Sequence, residues 1–88
     1  MSPQQISILF RLEERWDFFR RLKGDKWAGI VAEYEKYLRE QMDADKCDLI
    51  SAALAIGKRL SSAGHDPNEL FAAAVELIKR EDAAAKAP

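Results

Sequence analysis

An all-α fold, a compact bundle of four helices in one domain spanning residues 1–88, is the prediction of three sequence features. Apolar residues recur at three- and four-residue intervals through most of the chain. That repeat is cut at Lys23-Gly24-Asp25, and cut again at Gly64-His65-Asp66-Pro67. With 48% hydrophobic and 33% charged residues, the composition is that of a chain able to bury a modest core, unlike the sparse, highly charged composition of disordered segments.

The first helix is expected over residues 3–23. Ser2 and Gln5 have capping-box spacing and Pro3 suits the first helical position. At about 100° per residue, Ile8, Leu9, Leu12, Trp16, Phe19 and Leu22 share one broad face, which is the core face. Ile6 and Phe10 fall on the opposite side, and Phe18 on a flank near Arg11. Either neighbouring helices wrap around and bury these three, or they form a docking or self-association surface.

Gly24 favours a left-handed helix end and Asp25 is a good cap for a second helix over residues 26–42, whose stripe is Trp27, Ile30, Val31, Tyr34, Tyr37, Leu38 and Met42. A rival reading keeps the apolar phase running through Gly24, giving one long helix followed by a C-terminal hairpin and implying a coiled-coil dimer. The break is preferred because Lys23 would otherwise sit in the seam.

A third helix is expected over residues 46–63, capped by Asp43 or Asp45, with Leu49, Ile50, Ala53, Leu54, Ile56, Gly57 and Leu60 facing inward. Ala53 and Gly57 suit close helix approach. The fourth helix, over residues 67–81, opens with Asp66 as cap, Pro67 at its first position and Glu69 completing a capping box; Leu70, Phe71, Ala74, Val75, Leu77 and Ile78 face the core, and residues 82–88 are expected to fray. Seven of eight aromatic residues lie at or before Tyr37, whereas eleven of fourteen alanines lie from Ala52 onward. Two antiparallel hairpins follow, the first supplying bulk and the second closeness.

Chemistry is scarce. Four isolated glycines make no phosphate-cradling loop, and one Cys with one His cannot build a zinc site. Asp43, Asp45 and Asp48 lack the Gly and closing Glu of a calcium loop and read as helix caps. His65 reads as a turn residue packed near Leu60, with no Ser or Cys placed to be its nucleophile. Cys47, expected in the first turn of the third helix, is opposed as a thiolate by Asp45 and Asp48. No catalytic residue, cofactor, metal or small-molecule substrate is expected.

Net charge of −1 provides no global attraction to nucleic acid or membrane, and no apolar run is long enough to span a bilayer. The lone Cys47 and a start, MSPQQIS, without the plan of a secretory signal point to the cytoplasm. Residues 1–27 carry six Lys/Arg against four Asp/Glu, and residues 28–56 three against six, an asymmetry suited to orienting two copies head to tail. The functional expectation is a small non-enzymatic protein-binding module, an adaptor, regulator or inhibitor, with Ile6, Phe10, Phe18, Arg11 and Arg21 as its docking residues. The alternative is a helical nucleic-acid-binding domain using the Arg-rich first helix. There the acidic residues interleaved among the arginines, such as Asp17 four before Arg21, weaken the signal.

Overall fold

Three short breaks divide the chain. The computed structural model describes the backbone of residues 3–86 and the side chains of residues 11–85. Its helices are α1 (Pro3–Lys23), α2 (Trp27–Asp45), α3 (Leu49–Ser62) and α4 (Pro67–Lys86), with a 3-10 turn over Gly24–Lys26 between the first two. The proposed Ser2–Gln5 capping box and the packing of Ile6, Ile8, Leu9 and Phe10 fall outside the described side chains.

The first break is made by Gly24, whose φ of +55° is a left-handed conformation that costs an L side chain about 1 kcal/mol. It excludes the long-helix alternative. An unbroken helix over residues 3–45 would be about 60 Å long, but the longest dimension of the described molecule is 37 Å. Asp25 does not cap α2 as expected: the turn continues through Lys26, which caps with no side-chain hydrogen bond.

At the second break α2 runs three residues past the expected end and stops at Lys46, itself left-handed at φ 53°. The cap of α3 is therefore Asp48, which accepts a 2.8 Å hydrogen bond from the Ser51 N–H, and neither Asp43 nor Asp45. Asp45 instead bonds with Gln41 one turn back. The third break matches the sequence closely. Gly64 is left-handed at φ 97°, the His65 N–H returns to the Leu60 carbonyl at 2.9 Å, and Asp66 accepts from the Asn68 N–H at 2.9 Å. Helix α4 does not end at Glu81; it continues through the alanines to Lys86, as alanine's helix propensity favours.

Helix α4 is the axis of the bundle. Leu70, Ala72, Ala73 and Ala74 have no exposed surface, and consecutive buried positions point in different directions, so α4 is enclosed by α1, α2 and α3. The alanines let those neighbours approach closely. Around this axis pack Val31, Tyr34 and Leu38 from α2 and Leu49, Ala52, Ala53, Ile56 and Leu60 from α3. Helix α1 lies chiefly against α4 and meets α2 mainly at the turn, where Phe19 stacks on Trp27 with ring centroids 6.5 Å apart. The aromatic pair of helices is thus bridged by α4, not zipped together as a hairpin of its own.

Two expected core residues are exposed. Leu22 lies about 90° round α1 from the stripe Leu12, Trp16, Phe19 and Lys23, and it is 61% exposed. In its place Lys23 packs inward and pairs with Glu69 at 3.6 Å. Leu54 is on the far side of α3 from Leu49, Ala52, Ile56 and Leu60, and is 66% exposed. Gly57 is not a close-packing site either, because a Cβ built there meets nothing within 4 Å. The two glycines therefore respond oppositely to the same change. Gly57→Ala should raise stability by about 0.5–1 kcal/mol through helix propensity, whereas Gly24→Ala should lower it by about 1 kcal/mol through its positive φ. Thermal denaturation followed by circular dichroism reads both, and a Gly24→Ala protein melting no lower than the parent would refute the turn assignment.

Candidate functional site

The conspicuous polar features lie along one side of α4, where Glu69 and Glu76 stand two turns apart. The Glu76 Oε1 atom accepts from both indole N–H groups, Trp27 at 2.9 Å and Trp16 at 3.2 Å, while Oε2 pairs with Arg80 at 3.3 Å. Burial pushes the Glu76 carboxyl up, but the donors Trp27, Trp16 and Arg80 outweigh it and hold the group below its ordinary value of 4.5. The Trp16 ring also carries Lys79 and Arg20 over it, with cation-to-centroid distances of 4.6 and 4.9 Å.

Glu69 repeats the pattern. One oxygen accepts from the buried Tyr34 hydroxyl at 2.8 Å and the other pairs with Lys23. Burial, reinforced by the Glu69 carboxylate, pushes the phenol far above its usual range. Glu69 thus points across the bundle, and the expected capping box with Asp66 is not where it is used. The Tyr34 oxygen also lies 3.3 Å from His65 Nδ1. With the phenolic proton committed to Glu69, that contact is a hydrogen bond when Nδ1 carries the imidazole proton. His65 lies beside Leu60 as expected, its backbone N–H on the Leu60 carbonyl, and its ring also packs against Tyr34 and Tyr37, contacts that local sequence does not indicate.

Cys47 lies in the α2–α3 connector and not in the first turn of α3. Burial, then the charges of Asp45 and Asp48, push its thiol up, so it is held as the thiol. Since α3 separates Cys47 from His65 by fourteen residues, or about 20 Å, the two form no catalytic pair. Among the described residues no three His, Cys, Asp or Glu side chains gather as a metal site. No helix among the described residues is long and apolar enough to cross a membrane.

Two apolar surfaces remain. On α1, Arg11, Arg15, Phe18 and Leu22 recur at intervals of four, three and four and are all exposed, Phe18 at 59%. Of the docking residues expected from sequence, this flank brings Phe18 and Arg11 together. Arg21 is turned away and pairs with Asp17 at 3.1 Å, as Arg20 does at 2.6 Å. The side chains of Ile6 and Phe10 are outside the described residues. Leu22 and Arg15 were missed, Leu22 because it was assigned to the core; the 11, 15, 18, 22 spacing carried the signal. The second surface is a shallow groove lined by Met42, Asp48, Leu49, Ile50, Ile78 and Glu81; the exposed Leu54 stands one turn along α3 from Ile50, outside the groove lining.

The Glu76 junction sets a pH dependence. A carboxyl whose folded value is lowered stabilises the fold above its unfolded value, and that contribution is lost as pH falls below 4.5 through the folded value. Glu76→Gln should cost about 1–2 kcal/mol at neutral pH, and its melting temperature should approach that of the parent on acidification. Parallel melting curves for the two proteins across that range would show that Glu76 is not the group responsible.

No family model, curated protein or solved structure matches this chain.

Proposed function

We propose that the chain is a small non-enzymatic protein-binding module that works in the cytoplasm as an adaptor, regulator or inhibitor by occupying a surface of a larger protein. The observation that supports this reading is the exposure of Phe18 and Leu22 one turn apart on α1, at 59% and 61%, alongside Arg11 and Arg15. Large apolar side chains next to arginine are the composition of interface anchors, where aromatic and Arg contacts dominate binding energy. Isolated exposed leucines are common, but an aromatic and a leucine on one continuous flank form a patch.

The core uses little of these two side chains, Phe18 meeting Phe19 edge-on at 5.4 Å between ring centroids, so a function that uses their exposed faces is compatible with the fold. A nucleic-acid role for α1 is less favoured, since Asp17 engages both Arg20 and Arg21 and takes their charge out of a phosphate-binding set.

The double substitution Phe18→Glu/Leu22→Glu tests the reading. It should leave the helical circular dichroism spectrum intact and cost about 1–2 kcal/mol of stability, through the lost Phe18–Phe19 edge contact and the new carboxylates near the C-terminus of α1. A partner retained by the parent chain from cells that express it, then purified, should bind the variant more weakly by on the order of 2 kcal/mol, roughly 30-fold. Equal affinity for both proteins, measured by titration calorimetry, would remove this flank as the docking site.

A further inference from the structure

We propose that the α1 flank of one copy docks into the α2–α3–α4 groove of a second copy, so that the chain associates head to tail. The proposal rests on the reading of Phe18 and Leu22 as a docking surface and names its occupant. Two unlike surfaces on one chain are complementary in shape class and in charge. The α1 flank is a convex apolar ridge, Phe18 and Leu22, continued by Arg11 and Arg15; the 11, 15, 18, 22 line itself carries no carboxylate, and the exposed Glu14 and Asp25 border it. The groove has apolar walls from Met42, Leu49, Ile50 and Ile78 and an acidic margin from Asp48 and Glu81.

The surroundings extend both properties of the groove. Asp43 and Asp45 are exposed in the last turn of α2, next to the groove residue Met42, with Lys46 and Arg39 also near, the latter shared between Glu35 and Glu81. Along α3, Ile50 is followed at helical spacing by exposed Leu54 and then by Gly57, where nothing lies within 4 Å of a Cβ position. An incoming helix therefore meets Ile50 and Leu54 with room at Gly57, and the apolar line stops at the exposed Lys58, one turn past Leu54.

Charge also selects against the symmetric alternatives. Two α1 flanks packed in parallel would oppose Arg11 and Arg15 with their own copies, and two grooves would oppose Asp48 and Glu81 with theirs, like-charge contacts that disfavour both. Two flanks packed antiparallel would set Arg11 against Leu22 and Arg15 against Phe18, desolvating the arginines with no carboxylate from the 11, 15, 18, 22 line opposite them. Pairing flank with groove removes the conflict and gives a heterologous contact, which propagates unless its rotation closes a ring. Each surface is small compared with the roughly 800 Å² per partner of a standard interface, so the association is weak and concentration-dependent.

Two blocked variants test this. Arg15→Glu/Phe18→Glu removes the ridge, and Leu54→Lys/Glu81→Lys removes the groove; all four positions are exposed or at the groove margin, and circular dichroism verifies that both proteins fold. Light scattering on the parent at increasing concentration in low salt should show a mass rising above 10.0 kDa, and falling back in high salt as the charges are screened. Each variant alone should remain at the monomer mass. An equimolar mixture should form a one-to-one dimer and stop there, because each protein retains only one usable surface.

A parent that stays monomeric throughout, a variant that associates like the parent, or a mixture that behaves as its separate components would each overturn the proposal. If the mixture fails while Phe18→Glu/Leu22→Glu still loses a purified partner, the docking surface stands and its occupant is a different protein. If both fail, the surface itself is withdrawn.

Discussion

One carboxylate oxygen on α4 takes the N–H groups of both tryptophans, and the arrangement of the bundle depends on that junction. Trp16 and Trp27 lie on either side of the Gly24 turn, so Glu76 fixes the turn from outside it, by giving the two helices one acceptor on a third. A carboxylate with little exposure is costly unless its oxygens are occupied. Two indoles and Arg80 occupy them here, and among the described residues no buried side-chain polar atom lacks a partner. Glu69, two turns earlier, does the same for Tyr34 and Lys23. The axis helix thus combines alanines that admit its neighbours closely with two glutamates that set how those neighbours are rotated and how far along they sit.

Much of this was legible from sequence, for identifiable reasons. Helix type and number follow from apolar periodicity, and the α3–α4 turn from Gly64, Asp66 and Pro67, whose effects act within a few residues. The Gly24 break was legible for the same reason. What escaped was everything set by distant partners. Glu69 has the spacing of a capping box, yet a phenol more than thirty positions away takes its oxygen. Leu22 and Leu54 fit a broad apolar stripe, yet the stripe that α4 covers is narrower than the one hydrophobicity outlines. Lys23 looked like a misfit in a seam, and its ammonium finds Glu69 only because α1 lies on α4.

The candidate surface was half legible. Phe18 and Arg11 were recognised as lying off the core face, whereas Leu22 was absorbed into it, and with it the continuity that turns a single exposed ring into a patch. Arg21 has the composition of an interface residue but a carboxylate four positions earlier, and local pairing won. The acidic groove could not be read at all, since its walls come from α2, α3 and α4 and its rim from the connector between two of them.

The shared acceptor has an optical consequence. Both indoles in the chain end on the same oxygen, one carried by α1 and the other by the start of α2, so their emission does not report two independent regions. Any event that moves α1 away from α4 alters the surroundings of both chromophores together. The intrinsic fluorescence of this protein is accordingly a gauge of one joint, and needs no introduced label to follow it.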